Sequence, residues 1–579
     1  MHGTRRFSLT TALIAALLSS LWLPPCSAAD EAIVQRIEAL DAGFPVKVLG
    51  DRLMAETALS AFYGARGYQP AWHPPELRRQ LINAVERASD DGLNPADYHA
   101  EILSELSLRP MSDFSNELKA DLDLLFSDAF LMLSSHMLEG KVNPQTVHAE
   151  WTANRRHRAM ESVLAESLAS GDIVGTLNAL RPADPAYRKL MTARRELTLR
   201  LGQPWSQLAS QPVIRPGDRD DRLPEIRRRL SALGDLDAQP AASEDPVLYD
   251  GPLEGAIPKF QARHGLEPDG LIGRDTFRAL NLMPVERLRQ IDATLERWRW
   301  LPESLGDTYV LVNIAGYELT MVENREEVLR KRVIVGQPFR QTPVFSDHIR
   351  YLVFNPTWTI PRNLMIRDQL PQIIRDPGYL SRLNISVYRG WGADRVQVDP
   401  ADIDWQSLHR NNFPYQLVQE PGPQNALGQV KFMFPNQYDV YLHDTPGRGL
   451  FGRTDRSFSS GCIRVEQPFD LADRLLAASP DWNRGRIDKL VAESKPQTVM
   501  LPRPVPIHIQ YWTSWVDGEG RLQFRNDVYN RDARLITQLR QPVSGDGQRL
   551  TPVAAPDISA NLPSTVPREQ PTKARLTIF

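Results

Sequence analysis

Residues 307–336 read DTYVLVNIAGYELTMVENREEVLRKRVIVG, and they decide the class of the C-terminal half of the chain. Apolar and polar side chains alternate along three short runs, which is the period of a β-strand with one buried face. These runs are Tyr309–Ile314, Glu318–Val322 and Val328–Val335. Gly316 and Asn324 separate the runs, where turns are expected. The stretch therefore predicts consecutive strands at the start of a β-rich domain.

Strand-like patterning continues downstream and extends this domain over residues 307–539. The later runs are Tyr351–Phe354, Val430–Phe434, Asp439–Leu442, Ile507–Val516 and Arg521–Phe524. Between them, residues 361–428 have a mixed helix and loop pattern. An insertion of that length within a sheet domain is usually functional. We therefore expect it to form a capping lid that covers a site and moves when substrate enters.

The region upstream of the strands is helical in pattern. Apolar residues recur at helical spacing over residues 30–211, for example in Leu118–Leu138, and predict an α-helical scaffold domain. A stretch rich in proline, glycine and charge around 211–220 predicts a linker. Residues 221–282 predict a three-helix module, whose small core must pack on a neighbour. The predicted fold class is therefore multidomain α+β, with a helical scaffold, a three-helix module and a β-rich domain.

The composition excludes several classes of protein. The chain has 579 residues, of which 42% are hydrophobic and 24% charged, values that exclude a wholly disordered chain or a polytopic membrane protein. Lys and Arg number 68 against 71 Asp and Glu, so no nucleic-acid partner is expected. The sequence has no HExxH or paired-histidine motif and too few cysteines for a thiolate site, so we predict no metal and no cofactor.

Both ends of the chain depart from the composition of a folded domain. Two arginines precede an apolar run from Phe7 to Leu23 and small residues that end at Ala29. This pattern predicts a secretory signal peptide over residues 1–29 and an exported protein, with an uncleaved anchor as the alternative. Residues 541–579 are rich in Pro, Ser, Thr and Asp and predict a disordered tail.

Removal of the signal peptide leaves Cys462 as the one cysteine of an exported chain. Such a thiol is either inert and buried or reactive. Cys462 lies in SSGCIR, and His443 lies 19 residues earlier, at the start of HDTP. A thiol needs a base or a positive neighbour to become a good nucleophile near pH 7. We therefore predict that Cys462 is a nucleophile and His443 its base, with a buried cysteine beside an incidental histidine as the alternative.

The neighbours of the thiol fit the same chemistry. Gly461 lets the backbone approach a reacting carbonyl closely, and the tandem amides of Ser460, Gly461 and Cys462 are predicted to form an oxyanion hole. Arg464 and Arg456 are predicted to raise the thiolate fraction of Cys462 and to hold a substrate carboxylate.

His443 also needs a group that orients its imidazole ring. Asp444 is adjacent, but consecutive residues of a strand point to opposite faces. We therefore favour a backbone carbonyl or a solvent-linked group, and the Asp444 carboxylate stays as the alternative.

HDTP followed by SSGCIR resembles the active site of the YkuD-type L,D-transpeptidases. Further stretches resemble the large, multidomain YcbB-type members of that family. They are NPTWTIP at 355–361 in the catalytic domain, GLNPADYH at 92–99 in the scaffold domain and DGLIG at 269–273 in the peptidoglycan-binding module. Ser460 departs from many shorter members, which have His before the Gly-Cys pair, and this leaves His443 as the base.

The resemblance implies a periplasmic cell-wall enzyme whose donor is a peptidoglycan tetrapeptide stem. Cys462 would attack the carbonyl of the third residue, a meso-diaminopimelate, and expel D-Ala. The side-chain amine of an acceptor stem would then resolve the thioester into a 3→3 crosslink. The resemblance further implies carbapenem-type inhibitors and other wall-synthesis enzymes as partners. Trp358 and Tyr441 are the implied pocket walls, with core packing as the alternative for both.

Three alternative functions remain at this point. An L,D-carboxypeptidase would share the acyl-enzyme and use water as the acceptor. A papain-like or NlpC-like wall endopeptidase also uses Cys and His, but there the Cys precedes the His in sequence. A non-catalytic wall-binding or scaffolding protein would keep the small module and would not need the thiol.

Overall fold

The computed structural model describes residues 28–107, 109–147, 156–200, 205–236 and 245–543. All but the last two residues of the predicted signal peptide, and all but the first three of the predicted tail, lie outside these ranges. Within the ranges, no helix combines the length and the apolar character needed to cross a membrane.

The N-terminal region is a helical bundle built around one long helix. Its helices are α1 (Ala28–Asp41), α2 (Glu56–Ala65), α3 (Pro75–Glu86), α4 (Ala100–Ser107), α5 (Asn116–Glu139), α6 (Pro144–Val147), α7 (Met160–Ser170), α8 (Ile173–Leu180) and α9 (Pro185–Arg200), with a hairpin of β1 (Lys47–Val48) and β2 (Asp51–Arg52). The central helix is α5, which begins after Ser115, whose hydroxyl accepts a hydrogen bond from the Leu118 amide at 3.2 Å. Most of its residues are buried against α1, α2, α3 and α7, which confirms the long apolar helix predicted there.

The small module consists of α10 (Leu223–Leu233), α11 (Gly251–Arg263) and α12 (Arg274–Leu280). Its core also contains Trp512 and Phe524 from the C-terminal domain, so the module packs on a neighbour as predicted. The stretch predicted as a linker is not free, because Ile214 and Ile272 exchange backbone hydrogen bonds of 3.0 and 3.2 Å. That stretch therefore belongs to the module.

A helix that the sequence analysis did not predict, α13 (Pro284–Arg299), joins the module to the C-terminal domain. Glu296 and Arg299 are fully buried and form an ion pair of 2.5 Å within this helix. Glu296 also accepts a hydrogen bond from the Val142 amide at 2.7 Å, and Arg299 donates one to the Asp91 carbonyl at 2.8 Å. A buried ion pair needs such additional hydrogen bonds to offset its desolvation. These contacts tie α13 to the scaffold.

The C-terminal domain is built on a sheet that closes on itself. Its strands follow the order β13-β5-β14-β12-β11-β6-β15-β3-β4, and β4 also pairs with β5. They are β3 (Thr308–Asn313), β4 (Glu318–Glu323), β5 (Glu326–Gly336), β6 (Phe345–Phe354), β11 (Val430–Met433), β12 (Leu442–His443), β13 (Ser457–Ser459), β14 (Ile463–Val465) and β15 (Gln497–Gln510). The helices α17 (Pro468–Leu476) and α18 (Arg484–Ala492), the hairpin β16 (Ser514–Val516) and β17 (Leu522–Phe524), and α19 (Asp532–Leu539) complete it. The predicted α+β fold class is confirmed.

The insertion between β6 and β11 folds as a unit with its own small core. It contains β7 (Trp358–Thr359), α14 (Arg362–Leu364), α15 (Leu370–Arg375), α16 (Tyr379–Arg382), β8 (Ile385–Arg389), β9 (Val396–Val398) and β10 (Tyr415–Gln419). Its strands form a sheet of order β7-β10-β8-β9. The sequence analysis predicted only helices and loops for residues 361–428, and this prediction was therefore wrong. The five residues of β10 are all buried, so this strand lacks the alternation that reveals a strand in sequence.

Candidate active site

The strand register brings the predicted nucleophile and base to one face of the sheet. β12 and β14 are parallel, with Leu442 opposite Ile463 and His443 opposite Arg464. Leu442 and Ile463 are buried in the core. Because side chains alternate along a strand, the residues on either side of this pair point to the opposite face. Tyr441, His443, Cys462 and Arg464 therefore share that face.

Hydrogen bonds hold the turn before the cysteine in one conformation. The Ser459 hydroxyl donates to the Cys462 carbonyl at 2.5 Å and accepts from the Gly461 amide at 3.1 Å. The Thr342 hydroxyl donates to the Gly461 carbonyl at 2.8 Å. Gly461 has φ of +122°, a backbone conformation that side-chain-bearing residues rarely adopt. Since its amide is bonded to Ser459, Gly461 is not free to bind an oxyanion in this conformation.

His443 is 4% exposed and is oriented by a backbone carbonyl. Its Nδ1 lies 2.5 Å from the Asp444 carbonyl oxygen, which can only accept, so we assign the ring proton to Nδ1 and the lone pair to Nε2; the Leu427 backbone also interacts with the ring. The Asp444 carboxylate instead accepts from the Gln429 amide at 3.0 Å. The favoured orienting group, a backbone carbonyl, is therefore confirmed over the carboxylate. Burial and the Arg464 cation lower the pKa of His443 to about 3.

The thiol of Cys462 is half-buried and donates to the Asp439 carbonyl at 3.7 Å. Burial raises the pKa of Cys462 to about 11, against the opposing effect of hydrogen bonds from Tyr441 and the charge of Arg464. Arg464 thus lowers the pKa of the thiol, the direction that the sequence analysis predicted for it, but burial has the larger effect and the resting thiol is neutral near pH 7. A neutral thiol and a neutral imidazole face the same space, and attack on a carbonyl requires a proton to leave the thiol during the reaction.

Two cations lie beside the thiol, and the sequence analysis predicted only one of them. Arg464 is half-buried, and its Nε has no hydrogen-bond partner within the part of the chain that the structure describes. Lys431 lies opposite His443 across the β11–β12 pair, and its Nζ is 5.6 Å from the ring centroid of Tyr441. Burial lowers the pKa of Lys431, and the charge of Cys462 acts in the opposite direction. The alternation of Val430–Phe434, which the sequence shows, already puts Lys431 on the polar face of its strand.

The two predicted wall aromatics come together at the thiol. The Tyr441 ring lies 5.7 Å from the His443 ring, edge to face. Burial, and then the charge of Cys462, raises the pKa of Tyr441, and its hydroxyl interacts with Cys462 and with the Trp358 side chain. Trp358 belongs to β7, the strand through which the insertion begins. Both side chains are half-buried: Tyr441 packs against the core of the β-rich domain and Trp358 against that of the insertion, so each keeps one part exposed near the thiol.

Ser460 and Arg456 make contacts that the sequence analysis did not predict. Ser460 is exposed, and its hydroxyl lies 2.9 Å from Arg340 Nη1. Arg340 also binds Asp368 of the insertion, at 2.6 and 2.8 Å. Ser460 and Arg340 therefore link the nucleophile turn to the insertion.

The guanidinium of Arg456 is committed to the protein backbone. It donates to the carbonyls of Val333, Arg453 and Tyr317 at 3.2, 2.7 and 3.0 Å. Burial lowers the pKa of Arg456. The structure therefore gives Arg456 the role of fixing the segment before β13, and the predicted role in holding a substrate carboxylate is replaced by a structural one.

Comparison with known proteins identifies the domain that carries this site. Residues 307–499 match the model of the L,D-transpeptidase catalytic domain. Residues 57–193 match the model described as a scaffold domain, and residues 219–280 match that of a "Putative peptidoglycan binding domain". The recognition made from HDTP and SSGCIR is thus confirmed.

Individual relatives match this chain over part of their length. A curated Haemophilus influenzae protein named "Putative L,D-transpeptidase" is 38% identical over 226 residues, which are 39% of this chain and 45% of that protein. The chain thus spans about half the length of this relative. Among solved structures, an L,D-transpeptidase from Mycobacterium smegmatis is 13% identical, with a TM-score of 0.16 over 35% of this chain and 58% of that one. The LD transpeptidase LdtMt1 in complex with imipenem is also 13% identical, with a TM-score of 0.16 over 35% of this chain and 59% of that one.

Proposed function

We propose that this protein is a peptidoglycan L,D-transpeptidase that forms 3→3 crosslinks through a thioester on Cys462. The observation that carries the proposal is the shared face of Cys462 and His443, with Nδ1 of His443 held by a carbonyl and the lone pair left on Nε2. This pair can remove a proton from a nucleophile and return it to a leaving group, which is what acyl transfer needs.

In the first step, the Cys462 sulfur attacks the carbonyl of the third residue of a donor tetrapeptide, a meso-diaminopimelate. The thiol proton moves to Nε2 of His443 as the S–C bond forms. The amides of Ser460 and Cys462 are the donors we assign to the resulting oxyanion, since the Gly461 amide is bonded to Ser459. The imidazolium then protonates the departing amine, and D-Ala leaves with the C–N bond broken.

In the second step, the side-chain amine of diaminopimelate in an acceptor stem attacks the thioester. His443 takes a proton from that amine, the C–S bond breaks, and the sulfur recovers its proton. The product is an amide between two third residues, a 3→3 crosslink, and the enzyme returns to its neutral pair. Water in place of the amine would give the L,D-carboxypeptidase reaction by the same acyl-enzyme.

The surroundings of the pair suit this reaction. The charges of Arg464 and Lys431 stabilise negative charge on sulfur and on the oxyanion, and they act strongly because the site is partly buried. Arg464 is half-buried, and we assign its guanidinium as the group that binds a carboxylate of the stem. Trp358 and Tyr441 would border the stem beside the reacting carbonyl.

The remaining parts of the chain have roles consistent with work on the wall. We keep the division into scaffold (30–211), peptidoglycan-binding module (221–282) and catalytic domain (307–539) as part of the proposal. The insertion, residues 361–428, is assigned as a lid over the site, connected to the nucleophile turn through Arg340 and Asp368. The predicted signal peptide would deliver the enzyme to the periplasm, where other wall-synthesis enzymes would act beside it.

Acylation by a carbapenem tests the proposal, because a strained β-lactam carbonyl accepts the same nucleophile and forms a stable acyl-enzyme. Intact mass should rise by one inhibitor equivalent in the wild type and stay unchanged in Cys462→Ser. A folded wild-type protein that resists every thiol-directed acylating agent would make Cys462 structural and favour the non-catalytic wall-binding protein.

A further inference from the structure

A cavity of about 500 Å³ lies in the helical scaffold, and the residues that line it belong to that region alone. Its walls come from α3, α8 and α9, and Met137 near the end of α5 contributes to its floor. We call it the scaffold cleft. It shares no lining residue with the catalytic domain, so the reaction at Cys462 does not account for it.

The floor of the scaffold cleft is apolar. Met137 and Leu177 are buried there, and Met191 is half-buried. Val174 stands at its edge with 40% of its surface exposed. The floor therefore offers methyl and methylene groups to a bound molecule rather than hydrogen bonds.

The rim of the scaffold cleft is strongly cationic. Four arginines line it against one carboxylate, that of Asp90; they are Arg87, Arg181, Arg188 and Arg195. Arg87 pairs with Asp90 at 3.3 Å, and Arg181 pairs with Asp91 at 2.7 Å. Arg188 and Arg195 are exposed and make no ion pair with any residue in the described part of the chain. They are seven residues apart on α9 and so lie on one face of it, about two turns apart.

We propose that the scaffold cleft binds a peptidoglycan stem peptide through its carboxylates. The C-terminal residue of a stem and its diaminopimelate each carry a carboxylate, and guanidinium groups bind carboxylates with paired hydrogen bonds. The methyl groups of the alanine residues fit the apolar floor. Arg188 and Arg195 supply the charge that is not already neutralised within the protein.

The position of the scaffold cleft explains how the polymer would reach it. The far end of α9 meets the peptidoglycan-binding module, where a methyl group built on Gly234 would lie 2.9 Å from Arg200 Nη1. From Met191 to Arg200 the helix rises by about 14 Å, at about 1.5 Å per residue. A fully extended tetrapeptide spans about 13–14 Å. The scaffold cleft therefore lies about one stem length from the end of α9 that contacts the peptidoglycan-binding module. This site goes beyond the proposed function, since Cys462 takes no part in it.

The test is photo-crosslinking of the full chain carrying Cys462→Ala, which prevents acylation. The probe is a stem tetrapeptide with a diazirine on its second residue, and labelled peptides are mapped by mass spectrometry. We expect label on α3, α8 or α9 that falls about tenfold in Arg188→Gln/Arg195→Gln. The control Lys189→Gln removes a cation from α9 outside the lining and should leave the label unchanged. Thr192→Glu, an exposed lining position, should reduce the label independently.

Competition experiments identify the ligand chemistry. Unlabelled tetrapeptide should displace the probe from the scaffold cleft, and the fully amidated tetrapeptide should not. Absence of cleft label, equal competition by the amidated peptide, or displacement only by vesicles of an anionic phospholipid would overturn the proposal. Label in the scaffold cleft without any label beside residue 462 would instead support this site and count against the proposed function.

Discussion

Replacement of His443 by alanine should change how the acylation rate depends on pH. Burial holds the pKa of the Cys462 thiol at about 11 and that of His443 at about 3, so both groups are neutral between those values. The wild-type rate should therefore be nearly flat from pH 6 to 9.5, because the imidazole accepts the thiol proton during attack. Without His443 only the thiolate reacts. At pH values below the pKa of the thiol, the thiolate fraction rises tenfold with each unit of increase in pH.

The size of the effect follows from the same values. At pH 7 the thiol is four units below a pKa of about 11, so the thiolate fraction is on the order of 10⁻⁴. A general base contributes about 10²–10⁴ in rate. His443→Ala should therefore acylate about 10²–10⁴ times more slowly than wild type at pH 7, with a gap that narrows as pH rises.

The assay is the rate of carbapenem acylation, followed by intact mass at half-unit steps of pH. His348→Ala removes an exposed histidine from the same sheet and should behave as wild type. A His443→Ala rate that is flat with pH, or equal to that of the wild type at pH 7, would refute the assignment of His443 as the base. A wild-type rate that follows a single ionisation near 8.5 would refute the raised thiol pKa.

Three further predictions concern charged groups around and beyond the site. Lys431→Met should slow acylation about tenfold, because it removes a cation that stabilises charge on the sulfur, whereas Lys431→Arg should restore most of the rate. Arg340→Gln and Asp368→Asn should each speed hydrogen exchange in the insertion by up to about fivefold, and the double variant should do no more, since the two share one ion pair. Burial opposes the charged form of His99. The carboxylates of Asp128 and Asp51, at 2.8 and 2.9 Å from the two ring nitrogens, favour that form and raise the pKa of His99 above 6.5. The stabilisation of the folded state by protonated His99 is fully present below pH 6.5 and is lost as pH rises through the folded pKa. The His99→Gln variant should therefore lose more unfolding free energy at pH 6 than at pH 9.

The sequence predicted those parts of the fold in which one face is buried and the other is exposed. The strands Thr308–Asn313 and Glu318–Glu323 lie where alternation predicted them. The strand Tyr415–Gln419 is buried on both faces, so no alternation marks it. The helix Pro284–Arg299 was missed because its buried residues include Glu296 and Arg299, which in a sequence are typical of a solvated surface.

The same reasoning explains which site residues were predicted. Strand periodicity favoured a backbone carbonyl or a solvent-linked group over the Asp444 carboxylate as the partner of His443, and the geometry agrees. Arg456 was predicted to hold a substrate carboxylate because it lies close to Cys462 in sequence. Its guanidinium instead binds backbone carbonyls, because nearness in sequence does not give the direction of a side chain. Lys431 was missed because only the pairing of β11 with β12 brings it next to His443.

The most direct test of the central claim is to incubate the purified protein with disaccharide tetrapeptide and analyse both protein and product by mass spectrometry. The proposal predicts a protein adduct equal to the donor minus D-Ala, attached to Cys462, and a dimer joined through two diaminopimelate residues. Cys462→Ser should give neither species. Crosslinked dimer formed at a normal rate by Cys462→Ser would contradict the cysteine thioester, and tripeptide without any dimer would contradict the 3→3 transpeptidase and identify an L,D-carboxypeptidase.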